Sequence, residues 1–464
     1  MRRPTQGQLG QQGYQRQGPE RNPVPNTAAS NSVQAGQQER LSPAEVERIR
    51  ADFPILDQEI NGHPLVYLDS GATSQTPECV WEASQHFYET ANSAVHRGAH
   101  TLAVEATDRF EDARSTVARF VGAGEREIVW TSNATEALNL IAYSFSNATA
   151  GAGGPEADRF RLAPGDEIVA TGMEHHANLI PWQELAARTG ATFRWIPLRE
   201  DATLDLEAAA SIVGPRTRIL AFTHVSNVLG LVNDVAALAA LARSVGAYSV
   251  LDACQSAPHM PLDFAGLGID FAAFSGHKML GPTGIGALYG RAELLDAMPP
   301  FLFGGSMITT VSLDHAEFLP APQRFEAGTQ RISQAIGLAT AVSYLSETGM
   351  GRIEGWEQHL GKRMLNGLSE LPGVRILGPS ADADVSRTGT VPFAVDGVHP
   401  HDVGQFLDSR GVAVRVGHHC AEPLHKFLGV SASTRASAYL YNTEADVDAL
   451  LNAVSDVRAF FGVK

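Results

Sequence analysis

At 464 residues, 44% hydrophobic and 19% charged, the chain has the make-up of a soluble globular protein and exceeds one ordinary core, so two or three domains are expected. A net charge of −16 argues against nucleic acid as a partner. No apolar run approaches the ~20 residues of a membrane span, and the polar start shows no secretory signal. Three widely spaced cysteines with no CxxC pair suit a reducing, cytoplasmic setting rather than a disulfide scaffold.

Residues 1–40 are Gln, Gly, Pro, Asn and Ser with almost nothing apolar to bury, which predicts a disordered tail. Folding is expected to begin with Ser42 as N-cap, Pro43 at the first helical position and Glu45 three residues on, a capping box. A short segment to residue 64 precedes a large domain, 65–335, and a smaller C-terminal domain, 336–464. PLVYLDSGATSQTP reads as a short strand and a Gly/Ser/Thr turn. The next segment opens with His96, Arg97 and His100 and becomes a helix with Phe110, Ala113, Val117 and Phe120 at helical spacing. The strand EIVWTS runs into Asn133-Ala134-Thr135-Glu136, a helix start whose free N–H groups favour an anion such as phosphate.

Residues 147–164, rich in Ala and Gly, read as an exposed insertion loop. The strand DEIVATG leads to His175 and His176, where a ring lying over a cofactor explains one histidine better than a shared metal does. TRILAFTHVSN is a further strand, and Asp234 caps a helix that stops at Gly246. Strand and helix alternate from Ile128 to Tyr289, which predicts an α/β fold with a mostly parallel sheet covered on both faces. Residues 301–330 dissolve into a long loop, expected to be functional or at an interface. Two helices then lead to a second α/β unit with strands VRILG, TGTVPFAV and VAVRVG.

Chemistry concentrates between Tyr248 and Gly290. One strand hands over to Asp252, with Gln255 three residues on; another delivers Ser275, Gly276, His277 and Lys278, followed by a glycine-rich hairpin. Acid and lysine each stand just past a strand end, where open α/β sheets build sites. A lysine among small residues suits a Schiff base, and a neighbouring aspartate suits protonation of a pyridine nitrogen, the pairing that pyridoxal 5'-phosphate needs. In the second unit, Arg415-Val416-Gly417-His418-His419-Cys420 presents a cysteine on a Gly-bearing loop, and its imidazoles and arginine are expected to favour thiolate. Cys79 and Cys254 read as structural. Arg435 stands where a substrate carboxylate could be held bidentately.

The motifs LDSGAT, AVHRGAHTL, ATEALNL, MEHHANLIPW, HVSNVLG, LDACQ, SGHKMLGPTGIG, FEAGT and RVGHHCAEPL, in this order from about Phe53 to the last helix, resemble the SufS-type (group II) cysteine desulfurases, class V aminotransferase relatives of pyridoxal phosphate fold type I. The resemblance implies that Lys278 carries the cofactor and moves the Cα proton. It also implies that Asp252 pairs with the pyridine nitrogen, Gln255 bonds the phenolic oxygen and His175 stacks on the ring. Thr135, Ser275 and His277 would hold the phosphate, with Thr329 reaching in from the other protomer of a homodimer. Asn227, Arg415 and Arg435 would face the substrate, L-cysteine or L-selenocysteine. Cys420 would take the sulfur as a persulfide, leave alanine, and pass the sulfur to a SufE-like or SufU-like acceptor for iron–sulfur assembly. Ala134 stands where some relatives have threonine, and Cys254 where alanine or glycine is common. A related lyase or epimerase would have no need of the RVGHHC loop. A thiol or metal-binding scaffold would have no use for Lys278, Asp252 and Gln255.

Overall fold

In the computed structural model, residues 40–463 are described. The expected tail therefore lies, apart from Arg40, outside the described residues. The first helix, Pro43–Arg50, has the capping box read from the sequence: Ser42 Oγ accepts from Glu45 N, and the Glu45 carboxylate accepts from Ser42 N at 2.9 Å.

Seven strands form the large sheet, in the order Ile128–Thr131, Gly286–Gly290, Phe271–Ser275, Tyr248–Asp252, Thr217–Thr223, Glu167–Thr171, Thr192–Ile196. Gly286–Gly290 runs antiparallel to both neighbours, and the other pairs are parallel. Alternate residues along a strand point to opposite faces. Leu220 and Phe222 accordingly join one buried cluster with Leu251 and Phe274, whereas Ile219 and Ala221 join another with Val250 and Ala273. Both faces are covered, which is why these strands read as unbroken apolar runs. Asp234 caps Val235–Val245 through Ala237 N, and Gly246 ends that helix at φ +76°.

A second sheet is antiparallel throughout: Val374–Ile376, Thr390–Val395, Ser433–Ser437, Arg415–Gly417. The run VAVRVG, expected as one strand, divides between sheets. Val412–Ala413 pairs in parallel with Val66–Tyr67, and Arg415–Gly417 pairs with Ser433–Ser437. That division brings the LDSGAT segment beside Arg435: Asp69 bridges to Ser437, and Gly71 N donates to Ser437 Oγ at 2.8 Å.

Three expectations are corrected. Residues 147–164 are not simply an exposed loop, because the 3-10 turn Pro155–Phe160 buries Ala157 and Phe160, and Phe160 packs on Phe145 and Tyr248. The long loop after residue 301 contains a hairpin, Ile308–Val311 with Ala316–Phe318. Cys79, expected to be structural, is exposed near the start of the Glu78–Thr90 helix.

Candidate active site

A cavity of about 470 Å³ opens where the C-terminal ends of the parallel strands meet the second sheet. Its wall includes Thr135, His175, Asn227, Asp252, Gln255, Ser275, His277, Lys278, Arg415, Cys420 and Arg435. Every candidate residue read from the sequence is among them except Thr329, which is exposed on the loop before the Ile332–Thr348 helix.

At one end lies the Ala134–Thr149 helix start. Asn133 caps it through Glu136 N at 3.0 Å, and Ala134 N donates to Ser275 Oγ at 2.9 Å. The N–H of Thr135 has no partner among the described residues, which leaves it, the Thr135 hydroxyl and the helix dipole for an anion. Gly286 crosses behind this turn so closely that a Cβ there would lie 2.7 Å from Asn133 Cα and 2.7 Å from Phe274 O. His277 lines the same end, its Nδ1 3.2 Å from Thr73 Oγ1, and burial lowers its pKa to about 4.

The floor is Asp252, buried at the end of its strand, with Oδ1 accepting from Cys254 N at 3.0 Å. Gln255 Nε2 donates to Gly71 O at 2.7 Å. His175 accepts from Ala177 N at Nδ1, 3.0 Å, so the neutral ring carries its hydrogen on Nε2. Burial, and then the nearby Lys278 charge, lower the His175 pKa to about 4. The preceding residue, Glu174, centres a buried network that sequence reading missed. Glu174 accepts from Thr171 Oγ1 (2.5 Å), Thr223 N (2.9 Å) and Asn178 Nδ2 (2.7 Å), and Trp182 Nε1 donates to Asn178 Oδ1 (2.9 Å). Burial raises the Glu174 pKa to about 8. Lys278 is half-buried and makes no ion pair among the described residues.

Opposite lies a corner built on two arginines. Arg415 and Arg435 face each other across two antiparallel strands, a like-charge pair that would repel. Asp69 stands between them: Arg435 Nη2 donates to Oδ1 at 3.2 Å, and Arg415 Nη1 lies 3.8 Å from Oδ2. Arg435 is fully buried, gives Nη1 to Asn227 O at 2.7 Å, and keeps Nε unpartnered among the described residues. Burial outweighs both arginines and raises the Asp69 pKa. Asp69 was legible only as part of LDSGAT, a motif to which the sequence attached no charge role.

Cys420 sits on a tight turn in which His419 (φ +50°) and Cys420 (φ +55°) both take left-handed backbone, strain of the kind that gathers at functional sites. The turn is clamped from the large sheet: His176 N donates to Cys420 O at 2.7 Å, and Asn227 Nδ2 to His419 O at 2.7 Å. The thiol itself is exposed. The cationic contribution expected of His419 is corrected. Burial, then the Arg435 charge, lower the His419 pKa to about 2, and burial also lowers those of His176 and His425, so these rings are neutral at pH 7. Cys254, read as structural, belongs to the cavity wall; there burial drives its thiol far up, which keeps it protonated and unreactive.

The family model described as Aminotransferase class-V matches residues 66–450. The chain belongs to that family. The "Probable cysteine desulfurase 2" of Mycobacterium leprae is 53% identical, covering 91% of this chain and 99% of that relative. The "Probable cysteine desulfurase" of Streptomyces coelicolor is 49% identical over 90% and 98% of the two chains. Among solved structures, the cysteine desulfurase CsdA from Escherichia coli, in an S-sulfonic acid form, is similar with a TM-score of 0.80 at 40% identity, covering 90% of this chain and 99% of its own. Class-V enzymes use pyridoxal phosphate, and the cavity suits that group: a free helix N–H at one end, a buried carboxylate on the floor and a lysine with no ion pair between them.

Proposed function

We propose that this chain is a pyridoxal phosphate-dependent cysteine desulfurase that converts L-cysteine to L-alanine and carries the sulfur on Cys420 as a persulfide. The observation that carries the reading is one cavity walled by Lys278 and Asp252 from the large sheet and by Cys420 from the small one. A lysine and acid for the cofactor, without a thiol, would suit many class-V reactions; the strained, exposed cysteine selects sulfur transfer.

When bound, pyridoxal phosphate supplies an electron sink that weakens bonds at the substrate's α and β carbons. Thr135, Ser275 and His277 would hold its phosphate, Asp252 its ring nitrogen, Gln255 its phenolic oxygen and His175 its ring face. Lys278 carries it and moves the Cα proton. Arg435, with Asn227 and Arg415, takes the substrate carboxylate in the corner now occupied by Asp69. Cys420 forms the new S–S bond from the exposed side of the cavity, where a second protein can reach the product.

The sulfur then passes to a small SufE-like or SufU-like acceptor for iron–sulfur assembly, in the cytoplasm. Three unpaired cysteines suit that compartment, and no helix among the described residues is long and apolar enough to cross a membrane. A homodimer that lends Thr329 to the neighbouring site accounts for the absence of Thr329 from its own cavity wall.

Purified protein supplied with L-cysteine should form L-alanine and gain one sulfur atom on the peptide holding His419 and Cys420. Cys420→Ala should bind cofactor and substrate yet lose alanine formation by about two orders of magnitude or more. Sulfur found on the Cys254 peptide, or normal turnover in Cys420→Ala, would overturn the reading. Mixing Thr329→Ala with Lys278→Ala subunits should restore part of the activity if sites are shared, and restore none if each protomer is self-sufficient.

A further inference from the structure

Three buried side chains behind the Cys420 turn form a hydrogen-bonded chain whose direction the chemistry fixes. His425 Nδ1 lies 3.0 Å from Ala421 O, a carbonyl that can only accept, so this nitrogen carries the ring hydrogen. With the ring neutral, Nε2 of His425 is a lone pair, and Ser433 Oγ, 2.9 Å away, must give it the hydroxyl hydrogen. Ser433 Oγ then accepts from His419 Nε2, also at 2.9 Å. His419 is thus locked as the Nε2–H tautomer, with a lone pair on Nδ1. That Nδ1 is buried and has no hydrogen-bond partner among the described residues.

An unpartnered buried acceptor calls for an explanation. His419 lines the same cavity as Lys278, Arg435 and Cys420, and its backbone is held by Asn227. The neighbouring Cys420 thiol does not supply the missing donor, since it is exposed and makes no hydrogen bond to His419. No described residue supplies that donor, and because His419 lines the cavity, a bound ligand can supply it. On the desulfurase reading, L-cysteine brings two: the α-amino group, committed to the cofactor near Lys278, and the thiol, which must come beside Cys420.

We propose that His419 accepts at Nδ1 a hydrogen bond from the thiol of bound L-cysteine, with Ser433 and His425 as positioning residues that hold the tautomer able to do so. The proposal rests on the desulfurase reading. In the transfer, the Cys420 thiolate forms the S–S bond as the substrate's Cβ–S bond breaks. The electrons of that bond stay with Cβ, which takes a proton from Lys278 and becomes the methyl group of alanine; the substrate's own S–H hydrogen stays on the outer sulfur of the persulfide. A neutral imidazole that accepts a hydrogen bond orients the sulfur without removing this hydrogen.

The test compares two ligands in the cofactor-loaded Cys420→Ala protein, L-cysteine and L-2-aminobutyrate, which has a methyl group in place of the thiol. Calorimetry gives both dissociation constants. His419→Gln keeps a group near Ser433 but no acceptor at the Nδ1 position; it should weaken L-cysteine about three- to tenfold and leave L-2-aminobutyrate unchanged. His419→Asn puts an amide oxygen near that position and should recover most of the loss. Ser433→Ala, which releases the tautomer, should give a smaller loss confined to L-cysteine. Equal weakening of both ligands, or none of either, overturns the proposal. Failure of the wild type to form alanine from L-cysteine would instead overturn the underlying reading.

Discussion

The two arginines on the cavity wall show how a single residue sets the character of a site. Arg415 and Arg435 sit opposite each other on paired strands, and only Asp69 relieves their repulsion. Asp69→Asn keeps the shape and removes a charge whose burial cost exceeds its pairing with both arginines, so unfolding stability in urea at pH 7 should stay within about 1 kcal/mol of wild type. A loss of about 3 kcal/mol, the scale of a broken buried ion pair, would show instead that the bridge holds the fold together. Residues whose place follows from local position were legible in the sequence: Lys278 and Asp252 stand at strand ends that their own flanking residues define. The charge state around Cys420 was not legible. Whether His419 is cationic depends on burial and on Arg435, sixteen positions further along the chain and brought near only by strand pairing.

At the scale of elements, period and capping made the large sheet and its helices readable. The sheet's register kept both faces apolar, and Asp234 and Gly246 mark their helix at both ends. Short or compositionally plain elements escaped. Pro155–Phe160 is one 3-10 turn amid Ala and Gly, too short to show a period, yet Phe160 is fully buried with ring centroids 5.1 Å from Phe145 and 5.3 Å from Tyr248. Phe160→Ala should therefore cost about 3–5 kcal/mol, as a core truncation does. A change under about 0.5 kcal/mol, typical of a surface site, would return the segment to the status of a loose insertion. The division of VAVRVG between two sheets was invisible for a related reason. Alternation shows that a run is extended, and only the positions of Val66–Tyr67 and Ser433–Ser437 decide with which strand each half pairs.

For the whole molecule, buried titratable groups predict a stability optimum. His175, His224 and His277 have pKa values lowered to about 4 and His419 to about 2, from 6.5, each chiefly by burial. The stability these neutral rings contribute is present above pH 6.5 and is lost as pH falls below it, because the unfolded chain then binds more protons. Glu174 and Glu357 act in the opposite sense. Burial raises them from 4.5 to about 8 and about 7, so their contribution is full below pH 4.5 and is lost as pH rises through those values. Each group changes stability by at most about 1.4 kcal/mol per pH unit. Between pH 4.5 and 6.5 four histidines outweigh two carboxyls, and above 6.5 only the carboxyls remain, so stability should peak near pH 6.5. Thermal melts of the cofactor-free protein at constant ionic strength should show a midpoint that falls on both sides of this value. Glu174→Gln, which cannot ionise, should flatten the fall between pH 7 and 8, where Glu174 is the remaining contributor of the two. A midpoint that climbs steadily to pH 8 would mean that these carboxyls stay ionised in the fold, hydrated in a way that their burial does not suggest.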